Sequence, residues 1–255
     1  MKKNTFNLPN SLESSQELNS RKELLNLFKS SPIPADELLQ NLGLFLKRQD
    51  LTNILFMHEL YQKIINVHGV VIEFGTRWGQ NLALFESFRG IYEPFNHTRK
   101  IIGFDTFEGF PGVSDKDQSS ASNHVKKGDL AAAVNTFSEI NGLADINDST
   151  RFLGHIPKVE LIKGDAIKTI PKFIEDKPHL VVSLLYLDFD LYEPTKTALE
   201  YFYPRMPKGS IIAFDELDNP LWPGETQAMV EFCKENKLRI QRLPFDPYVG
   251  YAVVE

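Results

Sequence analysis

The stretch VVIEFGTRWG, residues 70–79, decides how the rest of the chain is interpreted. Its first half is a short run of β-branched and other apolar residues, which is typical of a buried strand. Its second half contains Gly75 and Gly79, and glycine allows the backbone to turn tightly before the helical pattern that follows. The stretch therefore predicts a strand, a turn and a helix in an α/β protein.

The same alternation continues along the chain. Further strands are predicted at 100–105, 159–164, 179–190, 209–216, 237–245 and 249–255. Helices are predicted at 80–95, 130–140, 166–175, 194–206 and 224–236. Alternating strands and helices favour a doubly wound, mostly parallel sheet. The run 179–190 is the most apolar and is predicted to lie centrally. The last two strands have no helix between them, so we expect a hairpin with one antiparallel strand. The predicted fold is an α/β, Rossmann-like sheet of seven strands.

The region before this sheet has a different character. Residues 1–19 are polar and are predicted to be disordered. Residues 20–68 show three helical patterns and are predicted to form a helical cap. Residues 69–255 are expected to form the main domain.

Composition excludes several classes of protein. The chain has 255 residues and a formal net charge of -6, so nucleic acid is not an expected partner. Its one cysteine permits no intrachain disulfide. It shows no apolar signal region and no apolar run near the ~20 residues needed to cross a bilayer. We expect a cytoplasmic protein without a membrane partner.

The loop after the first strand contains a binding motif. Its spacing is Gly, three residues, Gly, which differs from the G-x-G-x-x-G pattern of NAD-binding proteins. Instead it resembles motif I of methyltransferases, in which this loop wraps the methionine part of S-adenosylmethionine. A plain glycine turn is the alternative interpretation. The residues that the resemblance assigns to the cofactor are Glu73, Gly75, Thr76, Arg77 and Gly79.

Two later strand ends add candidates for cofactor binding. Asp105 ends the second strand, where a carboxylate can accept both ribose hydroxyls of an adenosyl group. Gly164, Asp165 and Ala166 follow the third strand, where Asp165 is placed to meet the adenine amino group. For each aspartate the alternative is a turn or a helix N-cap.

The most informative residues are four acids at two strand ends. Asp188 and Asp190 end the central strand, and they share a face if the strand continues that far. Asp215 and Glu216 end the neighbouring strand, which lies ~4.8 Å away in such a sheet. Carboxylates gathered in this way repel unless they are protonated or neutralised, and Mg²⁺ or another divalent cation is the natural partner for oxygen ligands. The alternative is a set of separate, solvated loop acids.

Together the segments EFGTRWG, GFDTFEGFPGV, LDFDLYEPTKTALE and FDELDNPLWPGE resemble the macrocin O-methyltransferase family of sugar O-methyltransferases. The resemblance covers roughly residues 52–255 and implies the class I methyltransferase fold, S-adenosylmethionine, Mg²⁺ and a hydroxyl of a nucleotide-linked sugar. It assigns metal binding to Asp188, Asp215 and Glu216, and proton removal to Asp188 or Asp190, with Asp188 also near the cofactor. Many members have Asp–Asp where this chain has Asp–Glu.

The resemblance also concerns a second segment and the assembly. The segment from Phe107 to Pro111 matches one that shapes the cofactor and acceptor pocket in this family, and Thr106 and Phe107 are assigned to the cofactor. The polar insertion 106–157 is too long for an ordinary connection, which favours a substrate-binding role, while His124 and His155 within it are interpreted as exposed. The loop from Trp222 to Glu225 is a candidate lid over the acceptor. Family members are often oligomers, so we expect a homo-oligomer, either a dimer or a tetramer.

Three other functions fit parts of the pattern. A methyltransferase for catechols or other phenols would share the four motifs and differ in its acceptor pocket. An NAD-dependent oxidoreductase is disfavoured by the glycine spacing and by the acids at two strand ends. A non-catalytic S-adenosylmethionine-binding module is disfavoured by the intact acids.

Overall fold

The computed structural model describes residues 14–119 and 125–255. The expectation for residues 1–13 and the interpretation of His124 lie outside the described residues. The chain divides into two compact units, one ending at Asn53 and the other spanning Ile54–Glu255.

The first unit is helical. It contains α1 (Ser15–Lys29), α2 (Ala35–Gln40) and a 3₁₀ turn at Leu42–Leu44, and the next helix, α3 (Arg48–Ile64), begins in it. Helix α1 starts earlier than the sequence predicted, because Ser14 and Glu17 form a capping box. The second of the three helical patterns forms only a short helix, since α2 ends at Gln40 and a 3₁₀ turn follows at Leu42–Leu44.

The second unit contains the predicted sheet of seven strands. They are β1 (Val70–Phe74), β2 (Ile101–Asp105), β3 (Val159–Lys163), β4 (Val182–Leu187), β5 (Ile211–Phe214), β6 (Gln241–Arg242) and β7 (Gly250–Val253). Their order is β3-β2-β1-β4-β5-β7-β6, so β4 is central as predicted. All neighbouring pairs are parallel except those of β7, which runs antiparallel to β5 and β6. The predicted doubly wound fold is confirmed.

Helices cover both faces of this sheet. They are α4 (Gln80–Tyr92), α5 (Thr136–Ser149), α6 (Ala166–Asp176), α7 (Tyr192–Phe202) and α8 (Pro223–Asn236), with 3₁₀ turns at Asp115–Asp117 and Tyr203–Arg205. Side chains alternate along β1, so Val70 and Ile72 pack with α6, α7 and α8, while Val71 packs with α3 and α4. Two apolar cores therefore hold the sheet rigidly between the helices.

Two elements differ from the sequence prediction at their ends. Helix α5 was predicted at 130–140 but spans Thr136–Ser149, because its buried residues recur every four positions from Thr136 to Asp148. Strand β4 was predicted to reach residue 190 but ends at Leu187. In the described part of the chain, no helix is long and apolar enough to cross a membrane.

Candidate active site

The candidate site lies at the carboxyl edge of the sheet. Strands β1, β2, β4 and β5 are parallel, so the loops that follow them meet at the same edge. Ligands of open α/β sheets bind at this edge. The chain order therefore brings the glycine loop and the two acidic strand ends to one side of the molecule.

Gly75 fixes the contact between two of these loops. It has φ 74°, and a Cβ atom there would lie 2.0 Å from the backbone oxygen of Asp188. The sequence interpretation explained Gly75 by a tight turn, and the structure adds that the loop carrying Asp188 leaves no room for a side chain. Gly79 has φ 83° and is the N-cap of α4, where a Cβ would lie 2.9 Å from Ile140. Both glycines are required by the backbone.

Asp105 joins the loops that follow β1 and β2. Its carboxylate accepts a hydrogen bond of 2.8 Å from the backbone N–H of Arg77 and another from the N–H of Phe107. Burial raises the pKa of this carboxyl, and the two backbone donors oppose the rise. Asp105 therefore orders the loops that surround the predicted cofactor position, and its ribose contact stays a prediction.

Glu73 is the buried acid of motif I. The Thr76 hydroxyl donates to its carboxylate at 3.2 Å. Burial, together with the charges of Asp105 and Asp215, raises the pKa of Glu73 to about 8. Glu73 thus lies near enough to Asp105 and Asp215 for their charges to affect it.

The remaining predicted cofactor residues have structural partners of their own. Asp165 caps α6 by accepting from the N–H of Ile167 at 3.2 Å, which agrees with the helix-cap alternative. Gly164 donates its N–H to the backbone oxygen of Asp105 at 2.9 Å, and Ala166 begins α6.

The start of the insertion is also held by its own contacts. The Thr106 hydroxyl donates to the Gly109 oxygen at 2.6 Å, and Phe107 packs edge-on against Phe137. The cofactor roles of these five residues stay predictions.

The four predicted acids lie close enough to affect one another. The pKa of Asp188 is raised well above its usual value, first by burial and then by the charges of Asp215, Asp190, Glu225 and Glu216. Burial and the charges of Glu216 and Asp215 raise the pKa of Asp190 well above its usual value, although Arg77 opposes this rise. The alternative of four separate, solvated acids does not fit this mutual effect.

The geometry of Asp190 differs from the one assumed. Because β4 ends at Leu187, the alternation of strand side chains does not bring Asp188 and Asp190 to one face. Instead Asp190 is buried and adopts the left-handed conformation, with φ 61°.

The acids after β5 accept hydrogen bonds from other side chains of the protein. The Tyr186 hydroxyl donates to Asp215, and the side chain of Asn219 donates to Glu216 at 2.6 Å. Burial raises the pKa of Asp215 to about 6, and burial together with Asp215 raises the pKa of Glu216 to about 7.

Glu225 is the residue that the sequence interpretation missed. It was assigned to a lid loop, but it lies fully buried in the first turn of α8. Its carboxylate accepts from the N–H of Phe189 at 3.1 Å. The available signal was an acid directly after a Pro-Gly helix start, where the helix dipole favours negative charge.

The set of donors can be tested against a metal ion. Asp188, Asp190, Asp215 and Glu216 offer only carboxylate oxygens, and such ligands suit Mg²⁺. Yet across residues 14–119 and 125–255 no group of three or more His, Cys, Asp or Glu side chains is arranged to hold a metal ion. The chemistry of the donors therefore fits a hard cation, while the predicted ligand geometry is not formed.

The insertion is attached across the same edge. Phe110, Val125, Leu191 and Trp222 form a small apolar cluster of their own. Asp117 accepts a hydrogen bond of 2.6 Å from the N–H of Tyr192, the first residue of α7. The insertion and the loop before α8 are thus joined beside the acids.

The family assignment follows from comparison with known proteins. The family of macrocin-O-methyltransferase (TylF) matches residues 51–246. The crystal structure of CalS11, a calicheamicin methyltransferase, is 40% identical, covers 94% of this chain and 93% of CalS11, and has a TM-score of 0.90. An apo structure of CalS11, described as a TDP-rhamnose 3′-O-methyltransferase, is 38% identical, with coverage of 94% and 95% and a TM-score of 0.81.

A more distant structure agrees in fold alone. The O-methyltransferase NovP is 18% identical, with 79% of each chain covered and a TM-score of 0.61. A comparison with curated protein sequences gave no match. The match to the family covers more than half of the chain, and it confirms the resemblance inferred from the motifs. This chain belongs to the macrocin-O-methyltransferase family and is an O-methyltransferase.

Proposed function

We propose that this enzyme transfers a methyl group from S-adenosylmethionine to a hydroxyl of a nucleotide-linked sugar, with the help of a divalent cation. The observation that carries the proposal is the acid cluster beside the motif I loop, where Gly75 lies directly against Asp188. The similarity to CalS11, described as a TDP-rhamnose 3′-O-methyltransferase, supports a nucleotide sugar as the acceptor class.

The chain's own residues define two parts of the reaction. Bound S-adenosylmethionine would supply an electrophilic methyl group. Glu73 and Asp105 order or line the loops in which it is proposed to bind, and positioning of the two reactants supplies much of the rate. We assign the proposed binding of the cofactor to the loops after β1, β2 and β3.

The acceptor hydroxyl must lose a proton. Asp188 and Asp190 both have a raised pKa, which makes each carboxylate a stronger base than a solvated aspartate. Either can take the proton, since both lie among the acids that follow β4 and β5. A cation held by Asp188, Asp215 and Glu216 would lower the pKa of the acceptor hydroxyl.

A methyl-transfer screen tests this proposal. The enzyme, S-adenosylmethionine and Mg²⁺ are incubated with nucleotide sugars including TDP-rhamnose, and methylated product is detected by mass spectrometry. Catechol serves as the phenolic acceptor in parallel. We expect product from a nucleotide sugar, and its loss in EDTA with recovery when Mg²⁺ is added back. Methylation of catechol alone would show that the acceptor is a phenol and not a nucleotide sugar. Full turnover in EDTA would contradict the proposed role of the cation.

We propose the domain division at 1–19, 20–68 and 69–255, a cytoplasmic location, and a homo-oligomeric assembly. Small-molecule acceptors are the proposed ligands, with neither nucleic acid nor membrane as a partner.

A further inference from the structure

Glu225 is a fully buried carboxylate in the first turn of α8. A buried carboxylate is costly unless it has hydrogen-bond partners. Its partners are two backbone N–H groups that belong to different strand ends. One oxygen accepts from Phe189 at 3.1 Å, and the other accepts from Glu216 at the long distance of 3.5 Å.

These two amides belong to the two acidic segments of the site. Phe189 stands between Asp188 and Asp190, and Glu216 directly follows Asp215. A single side chain therefore joins the segment after β4 to the segment after β5. Glu225 contacts the backbone N–H groups of these segments. It therefore helps to fix the backbone positions from which the four acidic side chains extend.

The start of α8 is held closely against the same segment. At Gly224 a Cβ would lie 2.0 Å from Asp117, 2.6 Å from the Tyr192 nitrogen and 3.1 Å from the Asp190 oxygen. Only glycine permits this approach. The backbone that carries Glu225 therefore has little freedom to follow if its side chain is shortened.

We propose that Glu225 is a positioning residue, whose carboxylate holds the Asp188–Asp190 segment and the Asp215–Glu216 pair at their working separation. The inference rests on the proposed function, because it assigns those acids to methyl transfer. In this role Glu225 contacts neither reactant. It acts through the backbone of Phe189 and Glu216.

Two variants distinguish a role of Glu225 in hydrogen bonding to both segments from a role of its negative charge alone. Glu225→Gln keeps the size but offers one acceptor oxygen and places an amide N–H₂ against the second backbone donor. Glu225→Asp keeps the charge but is shorter by one carbon and cannot span both donors. If only the negative charge mattered, Glu225→Asp would retain activity. Glu235→Gln is the control, since it makes the same charge change on an exposed position of the same helix.

Amide hydrogen exchange tests whether Glu225 holds the two segments, and it requires no methyl-accepting substrate. We expect Glu225→Gln and Glu225→Asp to speed exchange in peptides covering 187–191 and 214–217, with peptides of β1 and α4 unchanged. Unchanged exchange in both segments overturns the proposal. Uniform acceleration across the whole chain also overturns it, because that pattern reports a general loss of stability.

Kinetics then tests the consequence for turnover, using the nucleotide sugar that the screen identifies. A misplacement of about 1 Å can cost ~10²-fold in rate, so we expect a fall in kcat of that order with the KM for S-adenosylmethionine unchanged. Faster exchange with an unaltered kcat overturns the positioning role. If wild-type enzyme methylates no nucleotide sugar, the proposed function fails, and the exchange measurement still decides whether Glu225 bridges the two segments.

Discussion

The tightest backbone contact of the site is made by Gly75. The Asp188 carbonyl leaves no room for a side chain there, and the left-handed φ of 74° is unfavourable for other residues. The loop that is proposed to hold the cofactor and the segment that carries the base thus share one contact. A change at this position should affect both.

We predict that Gly75→Ala destabilises the protein and weakens cofactor binding. The clash and the left-handed conformation together should cost about 2 kcal/mol or more of the free energy of unfolding. Thermal unfolding and calorimetry with S-adenosylhomocysteine measure the two effects. Gly142→Ala is the control, because Gly142 lies in α5 with open space around its Cβ position, and this variant should be stable. Equal stability of the two variants would contradict the predicted clash between a Cβ atom at position 75 and the Asp188 carbonyl.

Glu73 gives stability a pH dependence. Its pKa in the folded protein is about 8, above the ordinary value of 4.5, because burial and neighbouring acids disfavour the charged form. A group whose pKa is raised by folding contributes stability when the pH is below its pKa in the unfolded protein. This contribution is lost as the pH rises through its pKa in the folded protein. Without cofactor, Glu73→Gln should therefore gain stability over wild type as the pH rises from 4.5 to 8. Melting temperatures across this range measure the difference, and a constant difference would contradict the raised pKa.

The acids at the strand ends lower the stability of the protein by repelling one another, while they are proposed to serve the reaction. Asp188 is surrounded by four acids that raise its pKa, so Asp188→Asn removes a source of repulsion. We predict a higher melting temperature at neutral pH, a loss of about 10²-fold or more in kcat, and unchanged affinity for S-adenosylhomocysteine. Asp215→Asn should likewise lose turnover. Glu193→Gln, an acid in the first turn of α7, serves as the control. Retained turnover by Asp188→Asn would remove Asp188 from the reaction.

At the scale of elements, one contact attaches the long insertion to a helix. Asp117 accepts from the N–H of Tyr192 at the start of α7, and from the backbone and hydroxyl of Ser114 at 2.6 Å and 2.7 Å. Helix α7 has no side-chain cap from its own N-cap residue, Leu191. Asp117 thus caps a helix that follows it by 75 residues.

We predict that Asp117→Ala loosens the insertion. Loss of a capping side chain typically costs about 1 kcal/mol, and here it also frees the 3₁₀ turn that carries it. Limited trypsin digestion should cut faster after Lys126 and Lys127, which are exposed within the insertion. Asp115→Ala changes an exposed acid of the same turn and should digest like wild type. Equal cleavage rates for both variants would contradict the attachment.

The sequence predicted the elements better than their ends. Apolar runs alternating with helical patterns were sufficient to predict the seven strands and their hairpin, because burial of both sheet faces is visible in the residue pattern. The end of β4 was predicted three residues late, since an apolar run gives no sign that Asp190 adopts a left-handed conformation. Glu225 was missed for another reason, because its partner Phe189 is 36 residues away in the chain. Contacts between distant segments are not encoded in local periodicity.

At the scale of the whole molecule, the first unit leaves several large apolar side chains exposed. Helices α1 and α2 contain no buried residue. Leu25, Leu27 and Leu39 are 50%, 64% and 72% exposed. The exposure of large apolar side chains to water is unfavourable, and association with a partner can remove them from water. A second copy of this chain is the occupant that agrees with the proposed homo-oligomer.

We predict that the protein is a dimer or a tetramer in solution and that α1 contributes to its interface. The double variant Leu25→Glu with Leu27→Glu should shift the molar mass toward that of the 29.1 kDa monomer, because buried unpaired carboxylates oppose association. Light scattering coupled to size exclusion measures the mass. Lys22→Glu adds negative charge to the same helix without removing an apolar side chain, and it should leave the assembly intact. A monomeric wild type would contradict the assembly, and a double variant that stays assembled would place the interface on another surface of the chain.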